Sequence, residues 1–330
     1  MTDKSIYTTV LSQTFSPCGN YLIAANTYGE IAVFNIPKVI APAEVPNERN
    51  LRTPVFGFTP CPDSQISSLA TTEDFLVIGT VGEILGYEWD SVLKQRKPEL
   101  SWSLNIPPSK DNVDKPDVNS LSLRENREII YAGCGDNNVY GFDLGEGKLV
   151  QTFDGHEDYI HSVSNFGGKI LSASEDGTAR IWDPRRKKEV HTIAPHKHES
   201  LARPSLGKWL GAASFNEDWL VCGGGPHLSL WHLRSMTLAE TYTNMEDQGI
   251  YVADLYGDRI FAGGASNHMT HLSLTGGVLA EVPLSATCLY SLAYQETPHK
   301  VMCMAGSSHK IDFCTNFNYR DQILTFNYKK

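Results

Sequence analysis

The chain has 330 residues, of which 41% are hydrophobic and 20% are charged, which is enough apolar material for a large core. Its formal net charge of −10 argues against a free-standing nucleic-acid-binding protein, because contacts to phosphates need a concentrated surplus of Lys and Arg. Two dense basic runs, PRRKK (184–188) and KQRK (94–97), are interpreted as solvated loops, with a nuclear targeting signal as the alternative.

The seven cysteines form no Cys-x-x-Cys pair, and most of them lie in apolar runs such as VMCMAG (301–306). A thiol in such a run behaves as a small apolar side chain, so we expect reduced core cysteines. The N-terminus has no apolar signal-peptide core, and no run reaches membrane-spanning length. The sequence therefore predicts a soluble intracellular protein.

A unit of two short strands around a tight turn recurs along the chain. In chain order the copies are residues 21–36, 75–90, 128–143, 155–193, 219–234, 259–274 and 301–316. Each second strand carries a large apolar anchor, and the seven anchors are Phe34, Tyr87, Phe142, Trp182, Trp231, Leu272 and Phe313. A period of about 40–50 residues is typical of a β-propeller, whose blades are four-stranded antiparallel sheets. We therefore predict an all-β, seven-bladed propeller that forms one domain over residues 1–330, with loops inserted at 37–54, 105–117 and 195–208.

The N-terminal and C-terminal segments decide how such a fold completes its blades. Residues 6–17 can form the innermost strand of the first blade, and residues 319–330 can form the outer strand of the last. All seven blades would then be complete without exchange of a terminus. The alternative, in which the N-terminal segment completes the last blade, stays open at this stage.

The fourth copy, residues 155–193, resembles a WD repeat, with Gly-His before the strands, an Asp-Gly turn and a terminal Trp-Asp. In that family four side chains hydrogen-bond through the blade, and the matching positions here are His156, Ser172, Asp176 and Trp182. The resemblance implies a structural role for all four. A catalytic triad is the competing interpretation, but the serine lies within a predicted strand rather than at an exposed elbow. We predict no catalytic and no cofactor-binding residue.

The glycine-rich stretch GGGP (223–226) invites comparison with phosphate-binding loops. It lacks both a following Lys-Ser or Lys-Thr and the Gly-x-Gly-x-x-Gly spacing before a helix. An alternating strand pattern follows it. We interpret the stretch as a hairpin turn in which glycine permits a tight bend and Pro226 stiffens it.

Several longer motifs resemble the THO complex subunit 6 family of WD-repeat proteins. They are residues 16–36, 155–163, 175–183, 188–193, 197–211, 218–235 and 315–320. The resemblance implies a nuclear, non-enzymatic scaffold that docks onto the coiled-coil subunits of the THO/TREX complex and supports its assembly for mRNA processing, splicing, packaging and export. RNA would be handled by the complex as a whole, with no cofactor, membrane or small-molecule substrate. Nuclear speckles and a cytoplasmic pool are left open as further locations.

Candidate partner contacts lie in two places. The polar loop before the fifth blade offers His198, Glu199, Arg203 and Pro204. The loop and turn next to His156 offer Asp158, Tyr159 and Glu175. An alternative for the first group is that Glu199 and Arg203 only pair with each other and anchor the loop.

Three other functions are alternatives to this scaffold role. His191, His196 and His198 suggest a metal site, but no Cys or acid lies nearby at ligand spacing, so we predict no metal. A WD-repeat adaptor for another complex, such as a ubiquitin-ligase substrate receptor, is the alternative function, since fold does not fix function. An enzyme with a central-channel site would need several inward-pointing acids, and only Asp254 stands out.

Overall fold

A computed structural model of the protein describes residues 7–41, 52–108, 115–124, 128–245 and 248–327. These residues contain 28 β-strands in seven sheets, each an antiparallel meander of four strands that are consecutive in the chain. We number the sheets as blades 1 to 7 in chain order. Four consecutive strands per blade, repeated seven times, define a seven-bladed WD-repeat β-propeller, so the predicted fold class is confirmed.

The chain divides into two compact units, Met1–Ser103 with Val282–Lys330, and Leu104–Glu281. The first unit holds blade 1 with β1 (Val10–Phe15), β2 (Tyr21–Asn26), β3 (Ile31–Asn35) and β4 (Phe56–Phe58). It also holds blade 2 with β5 (Ser68–Thr71), β6 (Phe75–Gly79), β7 (Glu83–Glu88) and β8 (Leu100–Asn105), the last of which runs across the boundary between the units. Blade 7 completes it with β25 (Leu289–Gln295), β26 (Val301–Gly306), β27 (Lys310–Cys314) and β28 (Gln322–Thr325).

The second unit holds blades 3 to 6. Blade 3 consists of β9 (Val118–Leu123), β10 (Ile129–Cys134), β11 (Val139–Asp143) and β12 (Lys148–Phe153). Blade 4 consists of β13 (Ile160–Phe166), β14 (Lys169–Ser174), β15 (Ala179–Asp183) and β16 (Lys188–Ile193). Blade 5 consists of β17 (Leu210–Phe215), β18 (Trp219–Gly224), β19 (Leu228–His232) and β20 (Thr237–Tyr242). Blade 6 consists of β21 (Ile250–Tyr256), β22 (Arg259–Gly264), β23 (His268–Ser273) and β24 (Val278–Pro283), whose end crosses into the first unit.

Helical structure in the described residues is confined to short turns between strands. Helix α1 (Ile36–Ile40) follows β3, and the Asn35 side chain caps its N-terminus by accepting from the backbone N–H of Lys38. Single helical turns occupy Asp90–Lys94, Pro195–Lys197 and Thr243–Met245. No helix among the described residues is long and apolar enough to cross a membrane.

The second and third strands of each blade form the buried centre of the fold. β14, for example, is buried at every residue after Lys169, and β26 is buried throughout. Strands covered on both faces read as continuous apolar runs, which is why the seven copies stand out in the sequence. All seven anchor residues lie on third strands and are buried. The single-domain prediction stays a prediction.

Blades 1 and 7, within the first unit, show how the chain ends complete their sheets. β1 pairs with β2, and β28 pairs with β27, so each blade is built from its own consecutive strands. Phe34 of blade 1 and Phe326, which follows β28, belong to one apolar cluster. The Gln13 amide donates to the carbonyl of Ser291 at 3.2 Å. Completion without exchange of a terminus is therefore confirmed.

The loops and cysteines agree in part with expectation. The inserted segments 37–54 and 105–117 lie partly outside the described residues, as do both ends of the chain. All seven cysteines are free thiols, and five of them are buried. Cys18 is exposed and Cys61 is half-buried, because both lie in turns rather than in central strands.

Candidate protein-docking surface

Blade 4 carries a hydrogen-bonded network of four side chains that joins β14, β15 and the turn between them to the loop before β13. His156 Nδ1 lies 2.8 Å from Asp176 Oδ2, and His156 Nε2 lies 2.7 Å from Ser172 Oγ. The Trp182 indole N–H donates to the same Ser172 oxygen at 2.8 Å. Because the carboxylate accepts at Nδ1, that nitrogen carries the proton, and the Ser172 hydroxyl donates to Nε2. Each buried polar side-chain atom of these four residues has a hydrogen-bond partner.

The Asp176 carboxylate is stabilised in its charged form. Burial alone would raise its pKa, but hydrogen bonds from His156 and Thr178, the nearby imidazole and the backbone N–H of Glu157 hold the pKa well below its ordinary value. Ser172 is completely buried. These four residues therefore tie the blade together, and the serine hydroxyl is not open to a substrate in this structure.

Strand register places two of the predicted contact segments side by side. Ile160, the first residue of β13, pairs with Ser174, the last of β14, so the loop before β13 and the turn after β14 meet at one end of blade 4. We call this the upper end. The backbone N–H of Glu175 donates to the Tyr159 carbonyl at 2.8 Å, and the Ser174 hydroxyl donates to the Asp158 carbonyl. Tyr159 is 54% exposed there.

The Glu175 side chain also contacts β13, the first strand of blade 4. Its carboxylate lies 2.6 Å from His161 Nε2, and both side chains are partly exposed. Asp158 is half-buried. The structure thus brings Asp158, Tyr159 and Glu175 into one patch with an aromatic ring at its centre.

The loop between blades 4 and 5, residues 194–209, crosses the same end. His196 Nδ1 lies 3.0 Å from the carbonyl of Gly177 in the blade 4 turn. Leu201, in the middle of this loop, is fully buried. Trp209, at the loop's end, stacks on Tyr251 of blade 6 with ring centroids 5.0 Å apart. The loop leaves His198, Glu199 and Pro204 exposed.

Arg203 is the anchor of this loop. It is 8% exposed, and its guanidinium donates to five backbone carbonyls at 2.7–3.0 Å: those of Gly224, Gly225, Pro226, Met245 and Gln248. These acceptors belong to the blade 5 turn and to the loop before blade 6. The burial of Arg203 and its carbonyl acceptors favour the alternative in which it anchors the loop, and its role as a partner contact stays a prediction.

Comparison with known proteins covers both one blade and the whole chain. The family model described as "WD domain, G-beta repeat" matches residues 147–183, the part that contains most of blade 4. THO complex subunit 6 of Drosophila melanogaster is 37% identical over 322 residues, which is 97% of this chain and 90% of the fly protein. The chain belongs to the THO complex subunit 6 family. The Danio rerio homologue is 38% identical over 97% of this chain, and the Homo sapiens protein is 36% identical over 98%, covering 98% and 94% of those proteins.

In this THO complex subunit 6 family member, glycine is needed in the stretch 223–225 for a different physical reason from the one expected. None of Gly223, Gly224 and Gly225 has a positive φ, and the first two lie in β18. A Cβ on Gly224 would lie 2.1 Å from the carbonyl oxygen of Trp209, and one on Gly225 would lie 2.3 Å from that of Gly207. The glycines are required by close approach of backbones, which also brings their carbonyls within reach of Arg203.

In blade 5, a serine on a neighbouring strand takes the role that Ser172 has in the hydrogen-bonded network of blade 4. Cys222 takes the place of Ser172, and Ser229, which pairs with Cys222 across the sheet, accepts the Trp231 indole N–H at 2.9 Å. Sequence reasoning missed this role of Ser229. Its signal was present, because a serine two residues before a tryptophan on a strand lies on the same face as that tryptophan.

Two of the three histidines considered for a metal site form other hydrogen bonds, and the third lies on a different element. His196 contacts the Gly177 carbonyl, and His198 Nδ1 lies 2.9 Å from the Ser200 hydroxyl. His191 lies on the exposed outer strand β16. Across the residues that the structure describes, no three His, Cys, Asp or Glu side chains are grouped so that they could hold a metal ion.

Proposed function

We propose that this member of the THO complex subunit 6 family is a non-enzymatic scaffold subunit that docks onto coiled-coil subunits of a THO complex. One observation carries the proposal: the chain matches proteins named as THO complex subunit 6 over 97–98% of its own length. A match of that extent covers every blade, not the generic repeat alone. The role that follows is nuclear and supports assembly for mRNA processing, packaging and export, with RNA bound by the complex.

The upper ends of blades 4 to 6 are the proposed docking surface, defined by Asp158, Tyr159, Glu175, Glu199, Pro204, Trp209 and Tyr251. Large aromatic side chains at the centre of a patch supply most of the binding free energy in protein interfaces. Tyr159 and the stacked Trp209–Tyr251 pair are such anchors. The carboxylates around them favour a partner helix with Lys or Arg on its docking face.

The rigidity of the loop supports this choice. Arg203, His196 and the buried Leu201 hold the loop in place before any partner arrives. A surface that is ordered in advance loses less conformational entropy on binding. His198, Glu199 and Pro204 can therefore contribute contacts at small entropic cost.

A pair of matched tyrosine variants tests the docking surface. Tyr159 is 54% exposed at the upper end of blade 4, and Tyr319 is 55% exposed in blade 7. We expect Tyr159→Ala to reduce co-purification of THO coiled-coil subunits from nuclear extract at least about tenfold, the size of a lost aromatic hot spot. Tyr319→Ala should leave recovery unchanged.

Two outcomes would count against the proposal. Recovery of no THO subunit with the unmodified chain at mild salt contradicts membership of the complex. Equal losses for Tyr159→Ala and Tyr319→Ala contradict the upper-end surface, while leaving the scaffold role intact. Enrichment of ubiquitin-ligase adaptors instead would favour the adaptor alternative.

A further inference from the structure

The end of blade 4 opposite the docking surface carries a dense group of cations. Phe166 pairs with Lys169, and Asp183 pairs with Lys188, so the β13–β14 and β15–β16 turns meet at this lower end. The cations there are Lys169, Arg185, Arg186, Lys187 and Lys188, all of them exposed. Five of the 28 Lys and Arg residues of a chain with net charge −10 thus lie on two neighbouring turns.

Within blade 4, one carboxylate contacts these cations. Asp183 is largely buried beneath the turn and contacts two guanidiniums, with Nε of Arg185 at 3.2 Å and Nε of Arg186 at 3.7 Å. Those two arginine side chains stay 80% and 79% exposed. Glu189, the next acid along, is engaged by Arg180 at 2.6 Å. The lower end therefore keeps a formal charge of +4 that no acid of blade 4 neutralises.

The turn that carries the cations is held in a fixed shape. The backbone N–H of Arg186 donates to the Asp183 carbonyl, and the Gln151 amide of blade 3 donates to the Pro184 carbonyl at 2.9 Å. Lys187 has a φ of +50°. A receptor that reads a linear basic peptide needs an extended backbone, which this tight turn does not offer. A flexible polyanion needs only the array of charges.

An aromatic ring lies beside the cations. Phe166, directly across the strand pair from Lys169, is 40% exposed, although it forms a T-shaped pair with Phe215 with centroids 6.2 Å apart. The turn between them, Gly167–Gly168, is open, since a Cβ on either glycine would meet nothing within 4 Å. Cations next to an exposed aromatic side chain are the elements of a single-strand nucleic-acid site, in which bases stack and phosphates pair with Lys and Arg.

We propose that the lower end of blade 4 binds single-stranded nucleic acid directly, through Lys169, Arg185, Arg186, Lys187 and Lys188 on the phosphates and Phe166 on a base. This goes beyond the proposed function, in which the complex as a whole handles RNA, and does not depend on it. The site is auxiliary, since one patch on an acidic protein engages about four phosphates.

Fluorescence anisotropy of a labelled uridine oligonucleotide of about 20 nucleotides, titrated with the full chain, tests the proposal. Four phosphates predict a slope of log Kobs against log salt of about −2.8, hence about a 50-fold loss of affinity from about 50 to about 200 mM salt. Replacing residues 185–188 with serine should lower affinity at least about tenfold at low salt. Phe166→Leu, which keeps the apolar contact with Phe215, should weaken oligonucleotide binding about fivefold or more and leave binding of duplex DNA unchanged.

The second basic run supplies the matched control. Lys94 pairs with Asp90 at 2.9 Å and Lys97 with Glu99 at 3.4 Å, so these cations are already opposed by acids. Serine at positions 94, 96 and 97 should leave affinity unchanged. Equal losses from both sets of substitutions, or binding that does not respond to salt, would overturn the proposal. It is also wrong if the 185–188 variant keeps its oligonucleotide affinity and loses instead the capture of a nuclear-import receptor.

Discussion

We expect the blade 4 network to be most sensitive to substitution at Asp176, which accepts the most hydrogen bonds of its four residues. Its carboxylate accepts from His156, Thr178 and the Glu157 backbone N–H in a buried site, and these bonds lower its pKa despite the opposing effect of burial. The backbone N–H of Thr178 is a fourth donor, and a buried acceptor with four donors cannot be removed without leaving some of them unsatisfied. The carboxylate therefore contributes to stability through hydrogen bonds that only its charged form makes in full.

We predict that Asp176→Asn lowers the free energy of unfolding by about 1–3 kcal/mol at neutral pH. The folded-state pKa lies below the ordinary value of 3.8, so the carboxylate's contribution is fully present above about pH 5 and is lost as the pH falls through the folded-state pKa. Urea denaturation between about pH 6 and about pH 3 should show a smaller acid-dependent loss in the variant. Parallel pH profiles for both proteins would contradict this assignment.

At the scale of elements, the loop of residues 194–209 and the blade 5 turn depend on one buried guanidinium. Arg203 bridges them with five carbonyl contacts, and a lysine has neither the fork geometry nor enough donors to replace it. The glycines beneath the loop let the carbonyls come this close. Loop, turn and arginine therefore form one structural unit.

We predict that Arg203→Lys and Arg203→Ala each lower the free energy of unfolding, the alanine variant by at least about 3 kcal/mol, because buried carbonyls lose their donors. Limited proteolysis should then cleave within residues 194–209 before the rest of the chain. Glu199→Ala, in the same loop but exposed, should change stability by less than about 0.5 kcal/mol. An Arg203 variant as stable as the Glu199 variant would contradict the anchoring role.

The C-terminal strand of blade 7 is the second element whose role can be measured. Leu324 of β28 and Phe326 just after it are buried in the cluster shared with blade 1. We predict that Phe326→Ala lowers the free energy of unfolding by about 3–5 kcal/mol, through lost burial and the cavity left behind. Tyr319→Ala, exposed in the same segment, is the control in urea denaturation. Similar small effects of both variants would show that the segment is not part of the core.

Blade hairpins could be predicted from the sequence because their cause is local. In YLIAANTYGEIAVFNI (21–36) two apolar strands and the turn between them are adjacent, and β2 and β3 form there. The roles of Arg203 and Ser229 could not be predicted from the sequence, because each depends on a partner that the fold brings close. Nothing in RPSLGKW reveals that Arg203 faces the carbonyls of residues more than 20 positions away. The glycines at 223–225 were predicted to form a hairpin turn; Gly225 lies in that turn, but Gly223 and Gly224 belong to β18.

At the scale of the whole molecule, we propose that the two compact units form one domain. Each contains complete four-stranded blades with their own apolar clusters. If they form one domain, urea unfolding followed by tryptophan fluorescence and by far-ultraviolet circular dichroism should give one coincident transition. Four of the six tryptophans lie in the second unit, so separate unfolding of the units would displace the two curves. Two distinct midpoints would contradict the single-domain proposal.

We propose above that the upper ends of blades 4 to 6 dock onto other THO subunits. Cross-linking mass spectrometry of the native complex tests it most directly, because lysines mark both ends of blade 4. Lys197 and Lys208 are exposed in the loop at the upper end, while Lys169, Lys187 and Lys188 are exposed at the lower end. We expect cross-links from Lys197 and Lys208 to the coiled-coil THO subunits and none to those subunits from the three lower lysines. Cross-links to them from the lower lysines alone, or a complex without any THO subunit, would contradict it.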